Sequence, residues 1–305
     1  MLINSTGKIL DNFYLLGHVG YPMFLMDAPK PVIFEAGVRF AGRIYVEDIR
    51  SVLGDRKPSV LFLTHAHWDH CGATAYLKEA FPAMKVAASA LATETLKRPS
   101  ALSLMTKLNE DARIEMLDYP GIDSSRFLND SFLPFEVDIE LEDNSVMDLG
   151  NGTTVEILAT PGHTRDHHSY YLPKEKILIA GEAAGLLLHS GYVTTEFLSS
   201  YDAYVSSLKR IAALPIDIFC QGHQMVLVGS EEIKNFLERS INETISFKNR
   251  VYDLLDEECG AEDRVIQRIK AERYDPIPGM KQPEVPYMIN LKAKIAHLAK
   301  KKASA

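Results

Sequence analysis

A chain of 305 residues with 46% hydrophobic and 24% charged side chains can bury a large core, and this composition excludes fibrous and disordered classes. The formal net charge of −8 opposes long-range attraction to phosphates, so no nucleic-acid partner is expected. Met1 to Asp11 carries no basic segment followed by an apolar run, and nowhere do about 18 apolar residues run uninterrupted, so neither export nor a membrane partner is expected.

The first apolar runs, 8–17 and 22–27, read as strands, and Pro31 to Phe34 follows as a third after the turn at Ala28-Pro29-Lys30. An amphipathic pattern over Ile44 to Leu53 predicts a helix, and Ser59 to Leu63 predicts a buried strand. A helix is expected from Asp69 to Phe81, then a strand over 85–88 and helical segments over 89–97 and 102–116. Asp118 to Phe135, rich in Gly, Pro, Asp and Ser, reads as a long loop. Strands return at 135–141, 153–158, 169–172 and 177–180, so two similar halves of sheet and helix are expected.

From Ser199 onward helices dominate, interrupted by a strand over 216–220. Ser230 is the expected N-cap of a helix whose stripe includes Ile233, Phe236, Leu237, Val251 and Leu254. Further helices are expected near 262–272 and 287–300, the last ending in Lys300-Lys301-Lys302 at the negative end of its dipole. Cys71, Cys220 and Cys259 lack the spacing of a disulfide frame or thiolate zinc site, which fits a reducing cytoplasm.

The chemistry concentrates in Thr64-His65-Ala66-His67-Trp68-Asp69-His70, directly after a buried strand. Alternation in an extended loop points His65 and His67 the same way, while Asp69 and His70 open the next helix and face back, so one segment supplies ligands to two neighbouring metals. Four such groups buried without a metal would carry a heavy desolvation penalty. Imidazole plus carboxylate suits zinc or ferrous iron, with manganese also accepted. Thr64 and Trp68 read as shaping the loop.

This segment resembles the signature of the metallo-β-lactamase superfamily. Thr160-Pro161-Gly162-His163-Thr164, Gly181-Glu182 and Gly222-His223 follow in that family's order, and Phe34-Glu35-Ala36-Gly37 is similar to its strand end upstream. The resemblance covers roughly residues 5–225 and implies a four-layer αββα sandwich over 1–228, with 229–305 a helical appendage packed on the metal-site face. It implies two divalent metal ions per chain: one on His65, His67 and His163, the other on Asp69, His70 and His223. Where the family normally places a bridging Asp this chain has Glu182, expected to bridge or to bind one metal; where it places an outer Asp stands Glu35, expected to orient a ligand imidazole. His167 and His168 read as structural, His18 and His297 as ordinary, and His189 and Tyr192 as lining the pocket.

The expected chemistry is hydrolysis by a hydroxide shared between the metals, with Asp69 as the catalytic residue that orients it and takes its proton. No serine or cysteine nucleophile is needed. The appendage resembles that of glyoxalase II and the quinolone-response thioesterase, which points to a small-molecule ester or thioester. Two other readings stand beside it: a di-iron redox or oxygen-handling protein, although flavodiiron relatives carry Glu where this chain has His67, and a regulatory binding module with a residual metal site. A homodimer remains open.

Overall fold

The apolar runs of the first half assemble into one seven-stranded sheet, in the order Gly7–Leu10, Phe13–His18, Tyr21–Met26, Val32–Phe34, Val60–Phe62, Lys85–Ser89 and Ile139–Leu141. It is antiparallel up to Val32–Phe34 and parallel thereafter. A second seven-stranded sheet runs Leu2–Ile3, Val226–Val228, Ile218–Gln221, Ile177–Gly181, His168–Leu172, Thr153–Ala159 and Val146–Gly150. The computed structural model describes residues 1–117, 123–279 and 281–304.

Helices lie on both outer faces: α1 (Gly42–Leu53), α2 (Trp68–Cys71), α3 (Thr74–Ala80), α4 (Ala90–Leu96) and α5 (Pro99–Met116) with the first sheet, and α6 (Tyr201–Ala212), α7 (Ser230–Glu257), α8 (Glu262–Arg273) and α9 (Glu284–Ala303) with the second. Three buried clusters show the layering. Phe24, Phe34 and Phe62 meet Ile157, Tyr170 and Ile179 between the sheets. Ile33 and Leu61, on the opposite face of their strands, meet Ile49 and Leu77 of the helices. Leu178 and Phe219 meet Leu208, Phe236, Val251, Ile269 and Ile295 on the other side. Alternation along each strand divides its side chains between the central and outer cores, which gives the four-layer αββα sandwich. Helices α7, α8 and α9 share their core with α6 and the second sheet.

Several local expectations are corrected. The 8–17 run is two strands, because Asp11-Asn12 turns the chain into a hairpin and the Asp27 amide closes on the Asn12 carbonyl. The 69–81 helix is broken into α2 and α3 at Gly72: its amide donates to the Gly37 carbonyl, and a Cβ there would fall 2.6 Å from the Trp68 carbonyl oxygen. Strand 135–141 shortens to 139–141, since the Asp138 carboxylate takes the Val86 amide where a ladder would continue. Ser230 does not cap α7; Gly229, at φ +113, holds that position. Strands at 2–3, 146–150 and 226–228 and the small Leu186–Leu187/Val193–Thr194 hairpin were not foreseen. Within the expected 118–135 loop, 118–122 lie outside the described residues, and Ser124–Arg126 forms a 3-10 turn. Among the described residues no helix is long and apolar enough to cross a membrane.

Candidate metal centre

Strand direction gathers the site. Val32–Phe34 runs parallel to Val60–Phe62, so Glu35 and the His65–His70 segment leave the first sheet at the same end. In the second sheet Ile177–Gly181 is parallel to Ile218–Gln221, and Thr153–Ala159 shares their direction because both it and Ile177–Gly181 are antiparallel to the strand between them. His163, Glu182 and His223 therefore also follow carboxyl ends of strands, the usual place for a ligand site in a sheet of this kind. The two edges are tied together: the Ala66 amide donates to Asp166 and the His168 amide to the Thr64 carbonyl, both at 2.8 Å.

The side chains meet in two adjoining groups, His65, His67, His163 and Glu182, and Asp69, His70 and His223, with the candidate ligand atoms of each group within 4.8 Å of one another. Glu182 joins the groups. Its Oε2 lies 3.4 Å from His65 Nε2, 3.2 Å from His70 Nε2 and 3.4 Å from His163 Nε2, and its Oε1 lies 3.1 Å from His223 Nε2. Asp69 Oδ2 is 3.6 Å from His223 Nε2.

Outer partners set which imidazole nitrogen faces inward. His163 Nδ1 donates to the Glu196 carbonyl at 2.6 Å and His223 Nδ1 to the Gly20 carbonyl at 2.7 Å. Since a carbonyl only accepts, each proton sits on Nδ1 and each Nε2 turns a lone pair inward. His65 Nδ1 lies 2.9 Å from the Thr64 hydroxyl, which donates to Glu35 Oε1 at 2.6 Å; Glu35 Oε1 also lies 3.3 Å from His70 Nδ1. Glu35 thus reaches two imidazoles, one through Thr64, from a backbone held at φ +68, unusual for a non-glycine residue.

The donor set fits divalent metal ions. Buried His65 Nε2, His70 Nε2 and Glu182 Oε2 have no hydrogen-bond partner, a costly state unless a cation takes their lone pairs. Ligand atoms ~2.1 Å from a tetrahedral ion stand roughly 3.4 Å apart, which is the spacing around Glu182 Oε2. Electrostatics favour the ligand form at His65, His67 and Glu182. Burial, reinforced by His70 and His67, pushes His65 well below the imidazole range, and burial beside His163 brings His67 down to about 4. Burial opposes charge on His70, yet Glu182 and Glu35 hold it well above that range; burial likewise opposes charge on Glu182, but His163 and His70 keep it ionised. His65 and His67 are thus neutral and Glu182 is ionised, the ligand forms metals require, whereas His70 would have to give up its proton to become a ligand.

Tyr192 lines the cavity over the cluster. His189 does not: its side chain is exposed, and its amide donates to Gln224 Oε1. His167 is held by the Thr160 hydroxyl at 2.9 Å, and His297 Nε2 accepts from the Tyr201 amide. Asp166 and the carbonyls of Gly20 and Glu196 escaped the sequence reading, which also took Thr64 only as shaping the loop and missed its link between Glu35 and His65. Their functions depend on partners distant in the chain, and a carbonyl carries no residue-type signal.

A sandwich whose strand ends converge on five imidazoles and two carboxylates defines a fold built around a candidate centre for divalent metal. The chain belongs to the metallo-β-lactamase superfamily, whose family model matches residues 32–223. It is 27% identical over 218 residues to the Beta-lactamase-like protein 2 homolog of Caenorhabditis elegans, covering 71% of this chain and 56% of that protein. It is 28% identical over 224 residues to a hydroxyacylglutathione hydrolase of Mesorhizobium japonicum, covering 72% and 65%. The chain therefore spans less than two-thirds of the length of either relative. Among solved structures, a metallo-β-lactamase family protein of Thermus thermophilus shares the fold, with TM-score 0.65 and 17% identity over 97% of this chain and 95% of that one.

Proposed function

We propose that this chain is a dinuclear metal-dependent hydrolase acting on a small-molecule ester or thioester. The observation that carries the reading is Glu182, whose two carboxylate oxygens face both imidazole groups at once, as a bridging ligand must. His65, His67 and His163 would hold one ion and Asp69, His70 and His223 the other, with Glu182 shared. When bound, two such ions would supply Lewis acidity and lower the pKa of water toward neutrality.

The protein's own groups do the rest. Asp69 would orient the attacking water and accept its proton, a role supported by its position in the first turn of α2 and on the cavity floor. Glu35 fixes the ring of His70 directly and that of His65 through Thr64. Residues 1–228 are the catalytic domain, and 229–305 the appendage that closes the cavity, since Phe247 of α7 and Ile289 of α9 line it together with the metal-site residues. The hydroxyacylglutathione hydrolase relative supports a thioester as the substrate class. Free Cys71, Cys220 and Cys259 support a reducing compartment.

Elemental analysis of protein purified without added metal, followed by turnover of an ester and thioester panel, tests the reading. Two ions per chain and thioester hydrolysis are expected. Bound metal with no turnover of any ester or thioester would sink it in favour of a binding module.

A further inference from the structure

The cavity above the metal centre has a volume of about 1530 Å³, larger than the ~300–1,000 Å³ usual for a small-ligand site. His67, Asp69, His163, Glu182 and His223 form its floor. Two of its walls are helix faces from opposite halves of the chain. Helix α5 presents Leu104 and Leu108, and α9 presents Val285, Ile289 and Ala293; the spacing of four puts each set on one face of its helix. Leu104 is 50% exposed, Val285 57% and Ile289 44%, so these apolar side chains leave their surface uncovered inside a concave site.

Of the four lysines and arginines lining the cavity, two are paired with carboxylates and two are hydrogen-bonded to carbonyls. Arg273 pairs with Glu243, Lys294 with Glu196, Lys281 donates to the Tyr274 carbonyl and sits 4.1 Å from its ring centre, and Arg239 donates to the Gly191 carbonyl. The described residues thus supply the cavity with apolar walls more than with free cations for a polyanionic handle.

We infer that the substrate carries a long, uncharged acyl chain, which lies between the α5 and α9 stripes while its carbonyl reaches the metal centre. This rests on the hydrolase reading above. Hydrolysis adds water across the acyl C–S bond, releasing a carboxylate, a thiol and a proton. Each methylene moved from water into the cavity strengthens binding by up to about fourfold.

The test uses the full-length, metal-loaded protein and the N-acetylcysteamine thioesters of acetic, butyric, octanoic and lauric acids, whose leaving group is uncharged. The expected result is a kcat/KM that climbs about two- to fourfold per methylene through the middle of the series. Leu104→Glu and Ile289→Glu should each cut the octanoyl-to-acetyl ratio at least about tenfold, because a carboxylate would have to be desolvated beside the chain. Leu104→Gln and Ile289→Gln give the same readout with a milder change should either Glu variant fold poorly. A ratio that stays flat or falls with chain length, with acetyl thioester still turned over, overturns the inference and spares the hydrolase reading. Turnover of none of the series, while charged thioesters are hydrolysed, also overturns it; hydrolysis of nothing at all removes the hydrolase reading and this inference together.

Discussion

The Thr64 hydroxyl donates to Glu35 Oε1 at 2.6 Å, and that one hydrogen bond fixes the tautomer of His65, which Glu35 reaches only through Thr64. A hydroxyl has a single proton. Once it is given to Glu35, the Thr64 oxygen can only accept from His65 Nδ1, 2.9 Å away, which leaves His65 Nε2 unprotonated and facing Glu182. Replacing Thr64 by Val keeps the shape and removes the relay. Metal affinity should fall about 10- to 100-fold, while Thr64→Ser stays close to the parent. A chelator competition titration of both variants decides this, and equal affinity for Val and Ser would show that the relay is idle.

Glu182→Gln removes negative charge from between the two imidazole groups, so repulsion between bound cations rises and the weaker site should empty first. The expected content is close to one metal per chain in a folded protein, with turnover reduced by orders of magnitude. Glu182→Asp probes reach: the side chain fills the space in front of Gly222, where a Cβ would lie 3.2 Å from Glu182 Cγ, so the shorter acid should also lose second-site affinity. Metal analysis after dialysis reads both variants, and unchanged content in each would place Glu182 outside the ligand set.

His65→Ala and His163→Ala each take an imidazole from the same group and should lose metal and hydrolysis together. A variant that keeps two ions per chain contradicts that ligand assignment.

Gly162 lies at φ +136, and a Cβ there would stand 2.3 Å from Tyr204 Cα. Its carbonyl also receives the amides of Ser199 and Ser200, so the loop bearing His163 is anchored through it to the start of α6. Gly162→Ala should lower stability by about 2–4 kcal/mol, because neither backbone can retreat cheaply. Urea unfolding gives the value; a loss below about 0.5 kcal/mol, the level of an ordinary surface change, would mean the loop shifts freely.

Lys294 reaches from α9 to the Thr195 carbonyl at 2.6 Å and to Glu196 Oε2 at 3.3 Å, both side chains being buried. The next group along is the Glu196 carbonyl that orients His163. Lys294→Met should destabilise by about 3–5 kcal/mol, since it strands a buried carboxylate, and adding Glu196→Gln should restore most of the loss. A double-mutant cycle that shows no coupling would refute the pairing.

Truncation after Gly229 removes α7 to α9 and uncovers the Leu178 and Phe219 face of the second sheet. Aggregation is expected. A monodisperse, fully active fragment in light scattering and turnover assays would show that the appendage is an independent module.

The ligand residues were legible in the sequence because metal chemistry restricts their types and because one strand end supplies four of them in sequence: His65, His67, Asp69 and His70. The alternation of apolar strands and amphipathic helices announced two similar halves of sheet and helix, and the resemblance to a known family implied their layering as a sandwich. What the sequence could not decide was anything set by contact between distant segments. Gly72 breaks a helix that periodicity would continue, because Arg39 and Gly37 leave no room beside it. His189 sits in the expected loop, yet its side chain points to solvent. Thr64 reads as an ordinary loop residue until Glu35 is brought beside it. The carbonyls of Gly20 and Glu196, which orient His223 and His163, are chemically identical to every other carbonyl of the chain. A side chain's type fixes what it can bind, whereas its partner, and hence its protonation and direction, depends on which strand ends the two sheets bring together.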